Sequence, residues 1–159
     1  MSYQAVILTV SDSCAAGTRT DTSGPAIRAM LENAGFAVQA MQTVPDEEGQ
    51  ISAAIVHACD ILQADLVVTT GGTGLSPCDV TPEATLAVLD REIRAIPVAM
   101  WVEGLKSTPR AMLSRAVAGI RGHTLVLNVP GSEKAARKNL GAVVATLDHA
   151  LRMLAGGGH

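Results

Sequence analysis

The sequence predicts an α/β fold: a three-layer sandwich in which a mostly parallel sheet with one antiparallel hairpin carries helices on both faces. Two observations carry that prediction. Short β-branched runs alternate with segments whose apolar residues recur at i, i+3, i+4 and i+7, the pattern of strands joined by crossover helices. The runs at residues 5–10 (AVILTV), 66–70 (LVVTT) and 124–129 (TLVLNV) are close to continuously apolar, as strands covered on both faces must be.

Each element follows in order. Residues 5–10 form the first strand and end in a polar loop at residues 11–18. Thr22-Ser23-Gly24-Pro25 opens a helix whose Ile27, Met30, Leu31 and Ala34 share one face, and Gly35 closes it. Residues 36–44 read as a second strand, less apolar and therefore nearer an edge. Asp46 is placed to cap a helix running to Leu62, with Ile51, Ala54, Ile55 and Ala58 facing inward. His57 and Cys59 fall off the centre of that stripe and read as structural. After the strand at residues 66–70, Thr81-Pro82-Glu83 starts a helix extending to about Arg91. Thr81 would cap it, Pro82 suits its first position, and Glu83 suits the positive end of its dipole. A helix over residues 96–106, with Trp101 on its apolar side, is broken at Thr108-Pro109. Residues 114–120, Arg121-Gly122 and residues 124–129 read as a tight hairpin. A final helix is striped by Leu140, Val143, Leu147, Leu151 and Leu154.

The 159 residues suffice for one domain, taken as residues 1–155, with a flexible tail at residues 156–159. With 48% hydrophobic residues but only 2% aromatics, the core must be aliphatic. A net charge of −3 with scattered Lys and Arg gives no nucleic-acid footprint and no polybasic membrane patch. No apolar run reaches membrane-spanning length, and the first residues do not read as a signal sequence. Cys14, Cys59 and Cys78 are odd in number and far apart, which points to a reducing cytoplasm. The four histidines lack zinc-ligand spacing.

Right-handed crossovers bring every strand-to-helix loop to the carboxyl edge of the sheet, where α/β folds bind ligands. Four loops arrive there: Ser11-Asp12-Ser13, Pro45-Asp46, residues 71–79, and Pro130-Gly131-Ser132. Gly71-Gly72-Thr73-Gly74 is not a P-loop, because no lysine falls between Asp65 and Glu83. Nor is it a dinucleotide fingerprint, because Pro77 stands where the third glycine belongs. The crowding of Ser76, Asp79, Thr81 and Glu83 around it points to phosphate or metal handling. Carboxylates beside a phosphate cradle repel the phosphate unless a cation lies between, so Asp46 and Asp79 suggest a magnesium-bridged nucleotide. Each also has a plainer reading: Asp46 as an N-cap, Asp79 as an aspartate stiffening its turn. Ser11 and Asp12 could equally serve the backbone at a strand end.

Six segments together resemble the molybdenum-cofactor biosynthesis domain family, in its stand-alone molybdopterin adenylyltransferase (MogA/MoaB-like) branch. They are TTGGTGLSPCDVTPEAT from Thr69, LTVSD from Leu8, SGPAI from Ser23, VPD from Val44, MLSRAVAGIRG from Met112 and NVPGSEKA from Asn128. The likeness runs from about Gln4 to about Leu154. It implies transfer of AMP from Mg·ATP to molybdopterin, giving adenylylated molybdopterin and pyrophosphate. A non-catalytic molybdopterin carrier of the same family is the alternative. The resemblance places the family's two important aspartates at Asp46 and Asp79, its glycine loop at Gly71, Gly72, Thr73 and Gly74, and further pocket residues at Ser114, Asn128, Pro130, Gly131 and Ser132. It also implies a homo-oligomer, commonly a trimer, and a molybdenum-insertion enzyme as a possible partner. The chain departs from the family pattern at Cys78, usually arginine, at Ser13, often basic, and at Glu133, usually proline. Arg110, Arg115 and Lys106 are the candidates to replace the missing cation.

Overall fold

The computed structural model describes residues 2–157. Its strands are β1 (Gln4–Val10), β2 (Ala37–Val44), β3 (Leu66–Thr70), β4 (Arg91–Glu92), β5 (Ala118–Arg121) and β6 (Thr124–Val129). Its α-helices are α1 (Asp12–Ala15), α2 (Ser23–Asn33), α3 (Glu48–Val56), α4 (Thr81–Leu86), α5 (Ala95–Leu105) and α6 (Glu133–Leu154). One sheet has the order β2-β1-β3-β6-β5-β4. β2, β1, β3 and β6 pair in parallel, and β5 runs against β6 and β4.

Side chains alternate across the sheet, so each central strand feeds two cores. Ile7, Leu66, Val68, Leu125 and Leu127 pack toward α2, α5 and α6. Val6, Leu8, Val67 and Val126 pack toward α3 and α4. The result is the expected three-layer sandwich. Removing each such aliphatic side chain from water favours folding by about 1.5–3 kcal/mol, so few aromatics are needed. The chain leaves β1 toward α2 on one face and leaves β3 toward α4 on the other. Beyond the adjacent carboxyl ends of β1 and β3 this divergence opens a crevice.

Several local expectations are corrected. Asp46 does not cap α3: Glu47 does, its carboxylate accepting from Gly49 N at 3.2 Å and Gln50 N at 2.7 Å. Beyond Val56 that helix widens into a π-helical turn over His57–Ile61, which buries Cys59. Burial pushes the Cys59 thiol up to about 11, so it stays protonated and inert. Thr81 does not cap α4 through its side chain; Val80 holds the cap position. α4 stops at Leu86 rather than near Arg91, because the following chain is drawn onto the open side of β5. Asp90 N bonds Ile120 O at 2.8 Å and Ile93 N bonds Ala118 O at 2.7 Å. The hairpin turn is Gly122-His123, since Arg121 pairs with Thr124. The loop after β1 holds the single helical turn α1, with Ser11 as its cap. Of the expected tail, the chain turns after α6 at Gly156, φ 88°, and Gly157 N bonds Arg152 O at 3.0 Å. Gly158 and His159 lie outside the described residues.

Asn128 is fully buried on β6 and pins three segments together. Its Nδ2 donates to Thr69 Oγ1 at 2.8 Å and Thr85 Oγ1 at 3.1 Å, and its Oδ1 accepts from Val117 N at 3.1 Å. Truncation would leave buried partners without a bond, a cost of order 1–3 kcal/mol for each group. Asn128→Ala is therefore expected to lower stability by about 3 kcal/mol, read as a shifted urea midpoint with an unchanged slope.

Candidate functional site

A cleft of about 690 Å³ lies over the carboxyl ends of β1, β3 and β6. Its floor is backbone. Gly71 has φ 104°, and a Cβ there would overlap the carbonyl oxygen of Val10, so only glycine fits. Gly72 has φ 69°, and its missing side chain leaves room for Thr81 Oγ1 and Asp46 Oδ1. Thr70 Oγ1 donates to Pro130 O at 2.7 Å, which ties the glycine loop to the turn before α6. Ser132 caps that helix, its Oγ accepting from Ala135 N at 3.3 Å.

Asp46 and Asp79 stand on the wall beside this floor. Asp46 Oδ2 accepts from Asp12 N at 3.0 Å, and Asp46 N donates to Asp12 Oδ1 at 2.8 Å. Loss of hydration pushes the Asp46 carboxyl above its usual range; the Asp12 N–H opposes this, and the charges of Asp12 and Asp79 add to it. Asp79 is a turn former as well: its Oδ2 accepts from Ser76 N at 3.0 Å and its N donates to Ser76 O at 2.9 Å. Among the described residues neither Asp46 nor Asp79 has a salt-bridge partner, and no three His, Cys, Asp or Glu side chains converge into a protein-only metal cage. Two unpaired carboxylates suit a hard cation shared with ligand oxygens, which is how Mg²⁺ is usually held on proteins.

Arg115 braces the loop from behind. Its Nε donates to Gly74 O at 2.8 Å and its Nη2 to Asp79 O at 2.7 Å. Its Nη1 meets Glu83 Oε2 at 2.6 Å, and its backbone N bonds Thr73 O at 2.8 Å. This partnership holds the Glu83 carboxyl below the usual range. Of the three candidate replacement cations, Arg115 is engaged in holding the loop, Lys106 pairs with Glu103 at 3.0 Å, and Arg110 lines the cleft.

The structure gathers Ser11, Asp46, Gly71, Gly72, Thr73, Gly74, Asp79, Ser114, Pro130, Gly131 and Ser132 around the cleft. Asp12 sits one step back, serving the backbone of Asp46. Ser76 braces the outer loop, Glu83 holds Arg115, and Asn128 lies under the sheet edge. Sequence reasoning missed Arg19, Lys134, Lys138 and Asp21, which also line the cleft. Lys134 and Lys138 are four apart at the start of α6, a spacing on one helix face that could have revealed them. Lys138 Nζ reaches Ser107 Oγ beyond the end of α5. Asp21 has a structural share: its carboxylate accepts from Thr9 Oγ1 at 2.7 Å and Gly24 N at 3.0 Å, capping α2.

Comparison with known proteins fits this architecture. The chain is 40% identical over 158 residues to gephyrin of Dictyostelium discoideum, across 93% of its own length. It is 36% identical over 154 residues to a molybdopterin adenylyltransferase of Helicobacter pylori strain J99, covering 94% of this chain and 86% of that protein. Some curated relatives, gephyrin among them, are much longer: the chain spans 22%, 25% and 49% of the length of three of them. It superposes on the crystal structure of the molybdopterin biosynthesis enzyme MoaB from Thermus thermophilus with a TM-score of 0.92 and 48% identity, over 97% of each chain. The family described as "Probable molybdopterin binding domain" (MoCF_biosynth) matches residues 6–149, and the chain belongs to that family.

Proposed function

We propose that the chain transfers AMP from ATP to molybdopterin, giving adenylylated molybdopterin and pyrophosphate, with Mg²⁺ as its metal. One observation carries this reading: a single cleft with opposed charges at its walls. Asp46 and Asp79 stand beside the glycine floor, and Arg110, Lys134 and Lys138 line the part built from the end of α5 and the start of α6. A polyphosphate meeting a metal at one end and fixed cations at the other fits that division. The name of the Helicobacter relative, which covers nearly the same length, supports the same reaction.

The reaction breaks the bond between the α-phosphorus of ATP and the oxygen bridging to the β-phosphorus, and forms one from the α-phosphorus to an oxygen of molybdopterin; the bonding pair leaves with pyrophosphate. Bound Mg²⁺ would neutralise the phosphates and stabilise the leaving group, and Asp46 and Asp79 are the residues to hold it. The open backbone at Gly71 and Gly72 lets phosphate oxygens approach the chain closely. Lys134, Lys138 and Arg110 offset charge that no metal reaches, and the hydroxyls of Ser11, Ser114 and Ser132 orient the substrates. The cleft volume falls within the usual range for small-molecule sites.

We also infer a homo-oligomer, a trimer by the family resemblance. Val98, Val102 and Leu105 are exposed on α5, next to the exposed Met112 and Leu113, and would be covered in such an assembly. No helix among the described residues is long and apolar enough to cross a membrane, and the reading places the protein in the cytoplasm with an enzyme of molybdenum insertion as its partner.

Pyrophosphate release from ATP, Mg²⁺ and molybdopterin tests the assignment directly. A folded protein that binds molybdopterin without turnover would be a carrier. Asp79→Asn is expected to keep the fold, since the amide still accepts from Ser76 N, and to lower kcat by roughly 100-fold or more. Unchanged turnover would exclude Asp79 from the metal end. Asp46 gives a second test with a defined sign. Its carboxyl is raised by loss of hydration, so its ionised form opposes folding at neutral pH, and the opposition fades as pH falls through the raised value toward that of the unfolded chain. Asp46→Asn should abolish turnover yet raise the melting temperature at pH 7, with the gain shrinking in acid. Cys78 is exposed on the outer loop and does not line the cleft. Cys78→Ser should therefore keep turnover within a few-fold; a loss by orders of magnitude would point to a covalent step instead.

A further inference from the structure

Thr81 carries a hydroxyl that the chemistry above does not use. The residue is fully buried at the first position of α4, and among the described residues its Oγ1 has no hydrogen-bond partner. An interior helical threonine can donate to the carbonyl one turn back, as Thr85 Oγ1 does to Thr81 O at 2.7 Å. At the first helical position that helical carbonyl is missing, so the donor must find a partner elsewhere or remain unpaired at a cost.

Its surroundings identify the partner. Thr81 N donates to Gly72 O at 3.1 Å, which fixes the residue against the glycine turn. The hydroxyl occupies the space where a side chain on Gly72 would begin, and Asp46 Oδ1 lies 3.2 Å from the same point. Asp46 commits its other oxygen, Oδ2, to Asp12 N. An unpaired hydroxyl and an unpaired carboxylate oxygen therefore border one small space above Gly72, at the acidic end of the cleft.

We propose that Thr81 is a positioning residue for Asp46: in the nucleotide-bound state its hydroxyl donates to Asp46 Oδ1 and holds that carboxylate toward the metal-bearing phosphates. The inference rests on the adenylyltransferase reading and names a residue behind the metal end of that site. Thr81 need not touch the substrate, because it is fully buried and is not among the residues lining the cleft. The device explains why a buried donor is kept where valine would fill the same volume without an unpaired group.

The test uses a non-hydrolysable ATP analogue with Mg²⁺, its affinity measured by calorimetry on wild type, Thr81→Val and Thr81→Ser, and on each in an Asp46→Asn background. Thr81→Val should fold with a melting temperature no lower than wild type and bind the analogue roughly 10- to 100-fold more weakly, the effect of one lost bond to a charged group. Thr81→Ser should restore most of the affinity. In the Asp46→Asn background the valine change should add little further loss, because its target is already altered. Wild-type affinity in Thr81→Val, or a loss undiminished by Asp46→Asn, overturns the proposal; Thr81→Ala gives the same reading if the valine variant does not fold. A wild-type protein that does not bind the Mg²⁺-analogue at all defeats the adenylyltransferase reading itself, and the Thr81 role with it.

Discussion

The close passage of Gly71 over the carbonyl of Val10 is the constraint on which the cleft depends. β1 and β3 are adjacent and parallel, and the chain must leave β3 across the end of β1 without a side chain between them. Gly71 N is fixed at the same time to Val129 O at 3.1 Å, and Gly131 lies so close that its Cβ would stand 3.2 Å from Gly71 Cα. Three strand ends thus meet through backbone alone. Any side chain at this junction would push the strands apart or fill the floor that a phosphate would use.

Around that floor the polar groups divide into those that hold the loops and those left free to meet a ligand. Arg115 gives almost all of its donors to Gly74, Asp79 and Glu83, so it acts as a strut. Asp79 and Asp46 each give one carboxylate oxygen to backbone N–H groups and keep the other. A carboxylate fixed in this way is already oriented before a ligand arrives, which limits the reorganisation required at the moment of reaction. The turn-stiffening and metal-facing readings of Asp79 are therefore compatible: one oxygen serves each.

The acidic and basic ends also come from different parts of the chain. Asp46 and Asp79 lie on loops after β2 and β3, whereas Lys134 and Lys138 lie on α6, and Arg110 on the 3-10 turn over Pro109–Leu113; the connection after β1 adds one lining group of each sign, Arg19 and Asp21. Cys78 itself lies outside the cleft wall, and α6 supplies two lining cations, Lys134 and Lys138.

The sequence by itself determined the layered α/β architecture, the three central strands, the amphipathic helices and the arrival of four loops at one sheet edge. Those features follow from hydrophobic periodicity and from glycine positions, which act over a few residues and are visible in any short window. Tertiary structure alone decided which side chains meet. Asp46 could be read as a cap because it precedes a helix, yet it faces Asp12, 34 residues away, and Glu47 caps instead. By sequence Asn128 stands at the head of a glycine-containing turn, but its place on a buried strand commits its amide to Thr69 and Thr85. The strut role of Arg115 and the two-residue strand β4 were hidden for the same reason: each is defined by a partner distant in the chain, and no local pattern encodes that distance.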